Sequence, residues 1–259
     1  MIPLQRQPLP PDLAHRLRLR GERLHRTDLS TAAVRREWSG ARTVRQGLRR
    51  SLLRMTGESA RCMYCCDSMG TDIDHFQPIA LAPLRAFDWL NHFLACSYCN
   101  SNQKRELYPC DEVSGECLLI DPSRDDPADH LRLLFSSGLY RGRTPKGRQT
   151  IAVFGLNDRP ELVRGRGDAY LLCRDTLAGA GRRTARGGGV GGADSAARAG
   201  RGDGPDQVEL LLRALSRRPN GDVLHAMLAV RHLPDAPRMF GADAVLGLHR
   251  LAAVLAAPS

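Results

Sequence analysis

The sequence has no uninterrupted apolar run of the ~18 or more residues that a membrane-spanning helix needs. Its first residues, MIPLQRQPLPPDL, are polar and rich in proline, and they lack the apolar core of a secretion signal. No internal repeat with the period of a solenoid is present. We therefore expect a soluble, cytoplasmic protein without a membrane partner, built as one large domain or two small ones from 259 residues.

Lysine is nearly absent, because Lys104 and Lys146 are the two lysines among 38 basic residues. With 28 acidic residues the formal net charge is +10, which favours contact with a polyanion such as nucleic acid. An excess of arginine over lysine can also reflect the base composition of a genome. Charge alone therefore leaves nucleic-acid binding open.

Cysteines are few for this length, eight in all, and four of them form two C-x-x-C pairs, Cys62/Cys65 and Cys96/Cys99. In a reducing compartment such pairs indicate metal binding rather than disulfides. Four thiolates are the full ligand set of a tetrahedral structural site, so we predict Zn²⁺ at these four residues. Cys66 directly follows Cys65 and could take its place, although the C-x-x-C spacing favours Cys65.

An amphipathic pattern precedes the cysteine pairs. Apolar residues recur every three or four positions from Asp28 to Met55, which predicts one helix. Its opposite face is rich in arginine, and it is either a solvated surface or a phosphate-binding one. These arginines are Arg35, Arg36, Arg42, Arg45, Arg49, Arg50 and Arg54.

The chain after the cysteine pairs has weaker patterns. Residues 118–126 and 130–144 suggest short strands around turns, and a further helix is predicted to start near Thr144. Residues 178–205 contain ten glycines and no aromatic residue, which predicts a flexible linker before a helical end. The predicted regions are a helical 1–58, a metal-dependent core at 59–110, a mixed extension at 111–177, a linker at 178–206 and a helical 207–259.

Between the two cysteine pairs lies D-I-D-H-F-Q-P, residues 72–78. Hydrolysis of a phosphodiester needs an activated water and stabilisation of negative charge, which one hard cation and one general base can supply. Asp74 offers a carboxylate suited to Mg²⁺ or Mn²⁺, and His75 has an ordinary pKa near ~6.5 that suits a base at neutral pH. Neighbouring residues of a strand point to opposite sides, so the two can act together only where the chain bends.

Four motifs occur in a characteristic order: C-M-Y-C at 62–65, D-I-D-H-F-Q-P at 72–78, W-L-N at 89–91 and A-C-S-Y-C-N-S-N-Q-K at 95–104. This order resembles the HNH endonucleases, the zinc-framed branch of the ββα-metal nucleases, over residues 61–109. The resemblance implies that Asp74 binds the catalytic metal, Mg²⁺ or Mn²⁺, and that His75 activates water.

The same resemblance implies roles for three further residues. Asn91 would fix the His75 ring by a hydrogen bond, and Asn100 would be the second metal ligand, at a position where many relatives have histidine. Lys104 lies four residues after Asn100, on the same face of a helix, where it would meet the scissile phosphate or face solvent.

Residues beyond these motifs, among them the run GLYRGRTPKG at 138–147, resemble extended HNH proteins encoded beside an ATPase in bacterial anti-phage systems, including the Septu type. This resemblance implies DNA cleavage in antiviral defence with an ATPase partner. The alternative is a non-catalytic zinc module that binds nucleic acid or protein. The expected fold class is α+β, with a ββα-metal (HNH) core and a four-cysteine zinc site flanked by helical N- and C-terminal regions.

Overall fold

The computed structural model combines helices with two small antiparallel sheets, as the expected mixture of α and β structure requires. Two compact units, Met1–Arg164 and Gly165–Ser259, are described separately below. None of the described helices combines the length and the apolar character needed to span a membrane. The structure describes residues 1–26, 28–57, 59–187, 210, 214–215 and 217–256.

Three helices precede the cysteine pairs: α1 (Pro11–Leu24), α2 (Thr31–Gly40) and α3 (Arg42–Met55). The prediction of one helix from Asp28 to Met55 is wrong, because Ala41 leaves the helical conformation with ψ at 47°. The break buries Ala41 and lets both helices contribute to one apolar core.

This apolar core joins the three helices to the loop that follows residue 75. Leu17 of α1, Val34 of α2 and Leu48 of α3 pack in one cluster with Ile79 and Phe87 of that loop. Burial of each such side chain contributes about 1.5–3 kcal/mol. The N-terminal helices therefore support the segment that carries the predicted site.

The central part of the first unit contains strands β1 (Asp72–His75) and β2 (His92–Ala95), which pair antiparallel with His75 opposite His92. The connecting loop includes two short 3₁₀ turns, Pro83–Arg85 and Trp89–Asn91. A helical segment with wide, π-helical turns follows β2 at Tyr98–Lys104. Strand β1, the Trp89–Asn91 turn and this segment carry the residues predicted to form the catalytic site.

The mixed extension contains α4 (Pro127–His130), the antiparallel pair β3 (Leu131–Leu134) and β4 (Leu139–Gly142), and α5 (Pro145–Val153). The strands predicted within 130–144 and the helix near Thr144 are confirmed. Residues 118–126 do not form a strand. Residues 122–124 are in a turn, which the Asp121 carboxylate stabilises by accepting the backbone N–H of Ser123.

The second unit contains most of α6 (Pro160–Gly187), and then α7 (Gly221–Val230), α8 (Ala236–Phe240) and α9 (Ala242–Ala256). Helix α6 extends through residues 178–187, which the sequence assigned to the linker. A Cβ atom on Gly181 would lie 1.9 Å from the carbonyl oxygen of Asp243, so small residues here permit close helix packing. The remainder of the predicted linker, 188–206, lies outside the described residues.

Candidate functional site

The four cysteines predicted to bind zinc come together in the first unit. All four are buried, and their Sγ atoms lie within 4.8 Å of one another. A zinc ion with Zn–S bonds of about 2.3 Å would hold such atoms about 3.8 Å apart, so the donor set fits a tetrahedral zinc site with slight contraction. The cluster contains Cys65 and not its neighbour Cys66, which answers the question left by the sequence. Its members are Cys62, Cys65, Cys96 and Cys99.

The cysteine cluster ties the first C-x-x-C turn to the end of β2. The backbone N–H of Met63 donates to the carbonyl of Leu94 at 2.8 Å, and Cys96 follows β2 directly. Burial raises the pKa of the Cys62 thiol, whereas hydrogen bonding with Cys62 and its neighbours lowers the pKa of Cys65. Thiols that share protons in this way are groups that a bound divalent metal deprotonates.

Arg159 lies beside this cluster, and the sequence did not reveal it. Its Nη2 is 3.8 Å from the Sγ of Cys99, and its guanidinium lies 4.3 Å from the centre of the Tyr98 ring. Although burial opposes the charge, the sulfur atoms of Cys65 and its neighbours raise the pKa of Arg159. Four thiolates around Zn²⁺ carry a net charge of about −2, which this guanidinium partly balances.

Asp74 lies inside the protein and both of its carboxylate oxygens are engaged. Tyr64 donates its hydroxyl to Oδ2 at 2.5 Å, and the Lys104 ammonium donates to Oδ1 at 3.0 Å. Lys104 also donates to the backbone carbonyl of His75 at 2.6 Å. Lys104 is 0% exposed, so it neither faces solvent nor reaches a surface phosphate as the sequence suggested. Lys104 reaches Asp74 because the aspartate side chain points inward from β1 and is buried with the lysine.

The His75 ring is half-buried and oriented by the backbone. Its Nε2 bonds to the carbonyl of Ala86 at 3.0 Å. A neutral ring that donates through Nε2 keeps a lone pair on Nδ1. Burial lowers the pKa of His75 to about 4, so the neutral, basic form predominates at neutral pH.

Two aromatic side chains surround the His75 ring. Trp38 of α2 approaches edge-on, with ring centres 4.5 Å apart, and stacks on the fully buried His92 at 5.1 Å. His92 also bonds through Nε2 to the carbonyl of Ala86, at 3.1 Å. One carbonyl oxygen therefore accepts from two imidazole rings, and the indole of α2 packs on both.

Asn91 is fully buried and holds the loop rather than the ring. Its Oδ1 accepts the backbone N–H of Gln77 at 2.8 Å. Its Nδ2 donates to the carbonyls of Gln77 and Arg85, at 3.0 and 3.2 Å. The expected hydrogen bond to His75 is made by Ala86 instead, the residue after Arg85. Asn91 thus orients His75 through the backbone of this loop.

Asn100 lies on the helical segment after β2, next to a different aspartate from the one expected. Its Nδ2 donates to Oδ2 of Asp72 at 3.2 Å, whereas Asp74 pairs with Lys104. Because an ionised carboxylate only accepts hydrogen bonds, the amide oxygen of Asn100 is turned away from Asp72. Asp72, which is not among the predicted metal ligands, is therefore a direct neighbour of Asn100.

An open groove of about 680 Å³ runs past Asn100. Its other walls come from the helical segment, from the residues that follow it and from α2. The charged residues in the lining are two arginines and one glutamate: Arg35, Arg105 and Glu106.

A half-buried arginine near the start of the chain supports the turn that carries Asn91. A lone arginine in a proline-rich stretch does not predict this contact. Arg6 donates through Nη1 to the carbonyls of His92 and Trp89, at 2.8 and 3.1 Å. Its guanidinium also lies 4.4 Å from the centre of the Phe93 ring. Burial lowers the pKa of Arg6 to about 10.

The fold and the cysteine cluster define a mixed α/β protein with a four-thiol site fit for a metal. The chain is 26% identical to the Septu protein PtuB of Bacillus mycoides (strain KBAB4) over 137 residues, which cover 42% of this chain and 46% of that protein. It therefore spans about half the length of this curated relative. No family model and no solved structure matches the chain. The similarity supports a relationship to the Septu defence proteins.

Proposed function

We propose that this chain is a metal-dependent HNH-type endonuclease that hydrolyses DNA phosphodiester bonds in anti-phage defence. The observation that carries the proposal is the environment of His75. The ring is neutral at neutral pH, one nitrogen is tied to the Ala86 carbonyl, and the other keeps its lone pair. The order of two strands between the cysteine pairs, followed by a helical segment that begins at the second pair, supports the HNH resemblance.

In this proposal His75 accepts a proton from the attacking water at its Nδ1 atom. The Ala86 carbonyl, Asn91 and Trp38 keep the ring in place during that transfer. Lys104 contributes by fixing the carbonyl of His75 and compensating the buried charge of Asp74. Asn91 and Lys104 are therefore positioning residues rather than groups that touch the substrate.

A hard divalent cation, Mg²⁺ or Mn²⁺, would supply charge stabilisation at the scissile phosphate when bound. Carboxylate and amide oxygens are the donors that such ions prefer, and the ions usually keep several water ligands. Asn100 would hold the cation together with a carboxylate. Asp74 is the carboxylate that the family resemblance implies, and Asp72 is the one that contacts Asn100.

An ATPase partner is part of the proposal, on the strength of the resemblance to Septu-type systems. The similarity to the Septu protein PtuB supports membership of a defence complex. In such a complex the ATPase would control when the nuclease cuts. Cleavage by the isolated chain would then be weak, and addition of the genomically adjacent ATPase would increase it.

The test is cleavage of supercoiled plasmid by purified protein without added cation, with Mg²⁺ and with Mn²⁺, in the presence and absence of the ATPase. We expect cation-dependent cutting that His75→Ala abolishes while its zinc content stays unchanged. His15→Ala removes an exposed histidine of α1 and serves as the matched control. Undiminished cutting by His75→Ala would exclude His75 as the base, and no cutting under any condition would exclude the nuclease.

A second candidate function is a non-catalytic zinc module that binds nucleic acid or protein. The engagement of both Asp74 oxygens, by Tyr64 and Lys104, favours it, because the aspartate then acts as a structural group. Such a module would leave plasmid intact while still binding DNA or the ATPase. The two candidates therefore differ in cleavage and agree in zinc content.

A further inference from the structure

Three arginines of α2 and α3 lie around the candidate site, each in a different contact. Arg49 donates to the carbonyl of Thr71, the residue before β1, at 2.9 Å. The Arg45 guanidinium lies 5.7 Å from the centre of the Trp38 ring, the ring that contacts His75. Arg35 lines the groove that passes Asn100.

We infer that Arg35, Arg45 and Arg49 form a phosphate-binding rim that holds the DNA backbone beside His75. The inference rests on the proposed function and names the contacts that this site makes with its substrate. Arginine suits the task because its planar guanidinium keeps its charge and presents paired donors to phosphate oxygens. Arg45 and Arg49 are four residues apart, so they share one face of α3.

The charge of Arg35 already acts on the site. It is among the groups that lower the pKa of His75, after burial and beside Lys104. Because Arg35 and Asn100 line the same groove, a phosphate bound by Arg35 would lie close to Asn100. The rim thus continues the site outward instead of forming a separate surface.

Glu106 competes for one member of the rim. It forms an ion pair with Arg35, and the side chains are 51% and 56% exposed. Exposed pairs of this kind are weak, so a phosphate can displace the glutamate. Glu106 would then screen Arg35 until DNA arrives, and its removal would strengthen binding.

Other arginines of the same helices offer a matched control. Arg50 follows Arg49 on α3 and is exposed, but it lies about 100° further around the helix. Arg50→Gln therefore removes the same charge from the same helix on a different face. If the rim binds DNA, the rim substitutions weaken DNA binding and Arg50→Gln does not. If the whole basic surface binds DNA diffusely, all of these substitutions have the same effect.

The experiment measures binding of labelled duplex DNA at several salt concentrations without added divalent cation, so that cleavage does not enter. We expect Arg35→Gln, Arg45→Gln and Arg49→Gln each to weaken binding about three- to tenfold and to reduce the salt slope by about 0.9. Arg50→Gln should leave both unchanged, and Glu106→Gln should tighten binding about two- to fivefold. Zinc content and thermal melting establish that each variant is folded.

Equal losses in Arg50→Gln and the rim variants would overturn the rim, and so would a wild-type protein that does not bind duplex DNA at low salt. Binding of the expected pattern without plasmid cleavage would refute the nuclease and leave the rim intact. Plasmid cleavage together with DNA binding that none of the three substitutions weakens would refute the rim and leave the nuclease intact. The two proposals therefore fail separately.

Discussion

Two antiparallel strand pairs of equal size in the described part of the chain, β1 with β2 and β3 with β4, are stabilised differently. In β3 buried and exposed residues alternate, as in a hairpin with one apolar face. All of β2 is buried, and β1 places the carboxylate of Asp74 inside the protein. The first pair therefore depends on partners from outside it, which are the cysteine cluster, a buried lysine and the N-terminal helices. The candidate site residues Asp74 and His75 lie on the pair for which this dependence is greater.

The largest effect is expected when the four-cysteine cluster beside β1 and β2 loses its metal. Cys65→Ser should lose bound zinc and unfold the segment around β1 and β2, because structural zinc contributes roughly 10 kcal/mol or more in small zinc modules. Cys66→Ser, at the adjacent buried position, should keep its zinc because Cys66 is outside the cluster. Zinc per protein and hydrogen exchange measure the outcome. Equal zinc loss in both variants would contradict the assignment of ligands.

The two lysines allow the strand pairs to be compared directly. Lys104→Met leaves the buried Asp74 without its counter-charge and should cost about 3–5 kcal/mol. Lys146 of α5 pairs with Asp125 at 3.0 Å with its side chain 28% exposed, so Lys146→Met should cost about 1 kcal/mol or less. Chemical denaturation of both variants measures the difference. A cost for Lys104→Met as small as that for Lys146→Met would show that the buried pair is not a main support.

A smaller effect is expected from acid. Burial lowers the pKa of His92 well below its ordinary 6.5, and the nearby His75 acts in the same direction. Between the folded and unfolded pKa values the unfolded chain binds a proton that the folded chain does not. The free energy of unfolding should therefore fall as the pH drops below 6.5, by up to about 1.4 kcal/mol per pH unit.

His92→Phe keeps an aromatic ring against Trp38 and removes this titration. Denaturation above and below pH 6.5 should show a shallower loss in the variant than in the wild type. A slope unchanged by the substitution would mean that His92 does not contribute to the acid sensitivity. The His75 ring, whose pKa is lowered to about 4, would account for what remains of the slope in the variant.

The local motifs were the predictable part of the site. The C-x-x-C spacing identified the four clustered cysteines, and alternation or turn residues identified β3, β4 and α5. These features depend on neighbours a few residues apart. The roles of individual site residues stay predictions, and the structure shows different contacts for Asn91, Asn100 and Lys104 from those that the resemblance implied.

The unpredicted features depend on contacts between distant parts of the chain. Arg6 meets carbonyls more than eighty residues away, as its bond to Trp89 spans 83 positions. Trp38 looked like an ordinary apolar position of a helix, and its contacts with His75 and His92 arise from tertiary packing. Residues 178–187 of α6 were assigned to a linker because glycine and alanine suit both a linker and a close helix contact.

Arg6 and the N-terminal helices contact residues of the motif region that lie far along the chain. These contacts determine which part of the gene has to stay together in recombination and in engineering. A gene fragment beginning at residue 59 would encode all of the recognisable motifs, yet it would lack the guanidinium under β2 and the core around Leu48. The motif region therefore cannot be transferred to another protein by itself. Recombination or domain grafting that preserves the site has to transfer the N-terminal helices together with it.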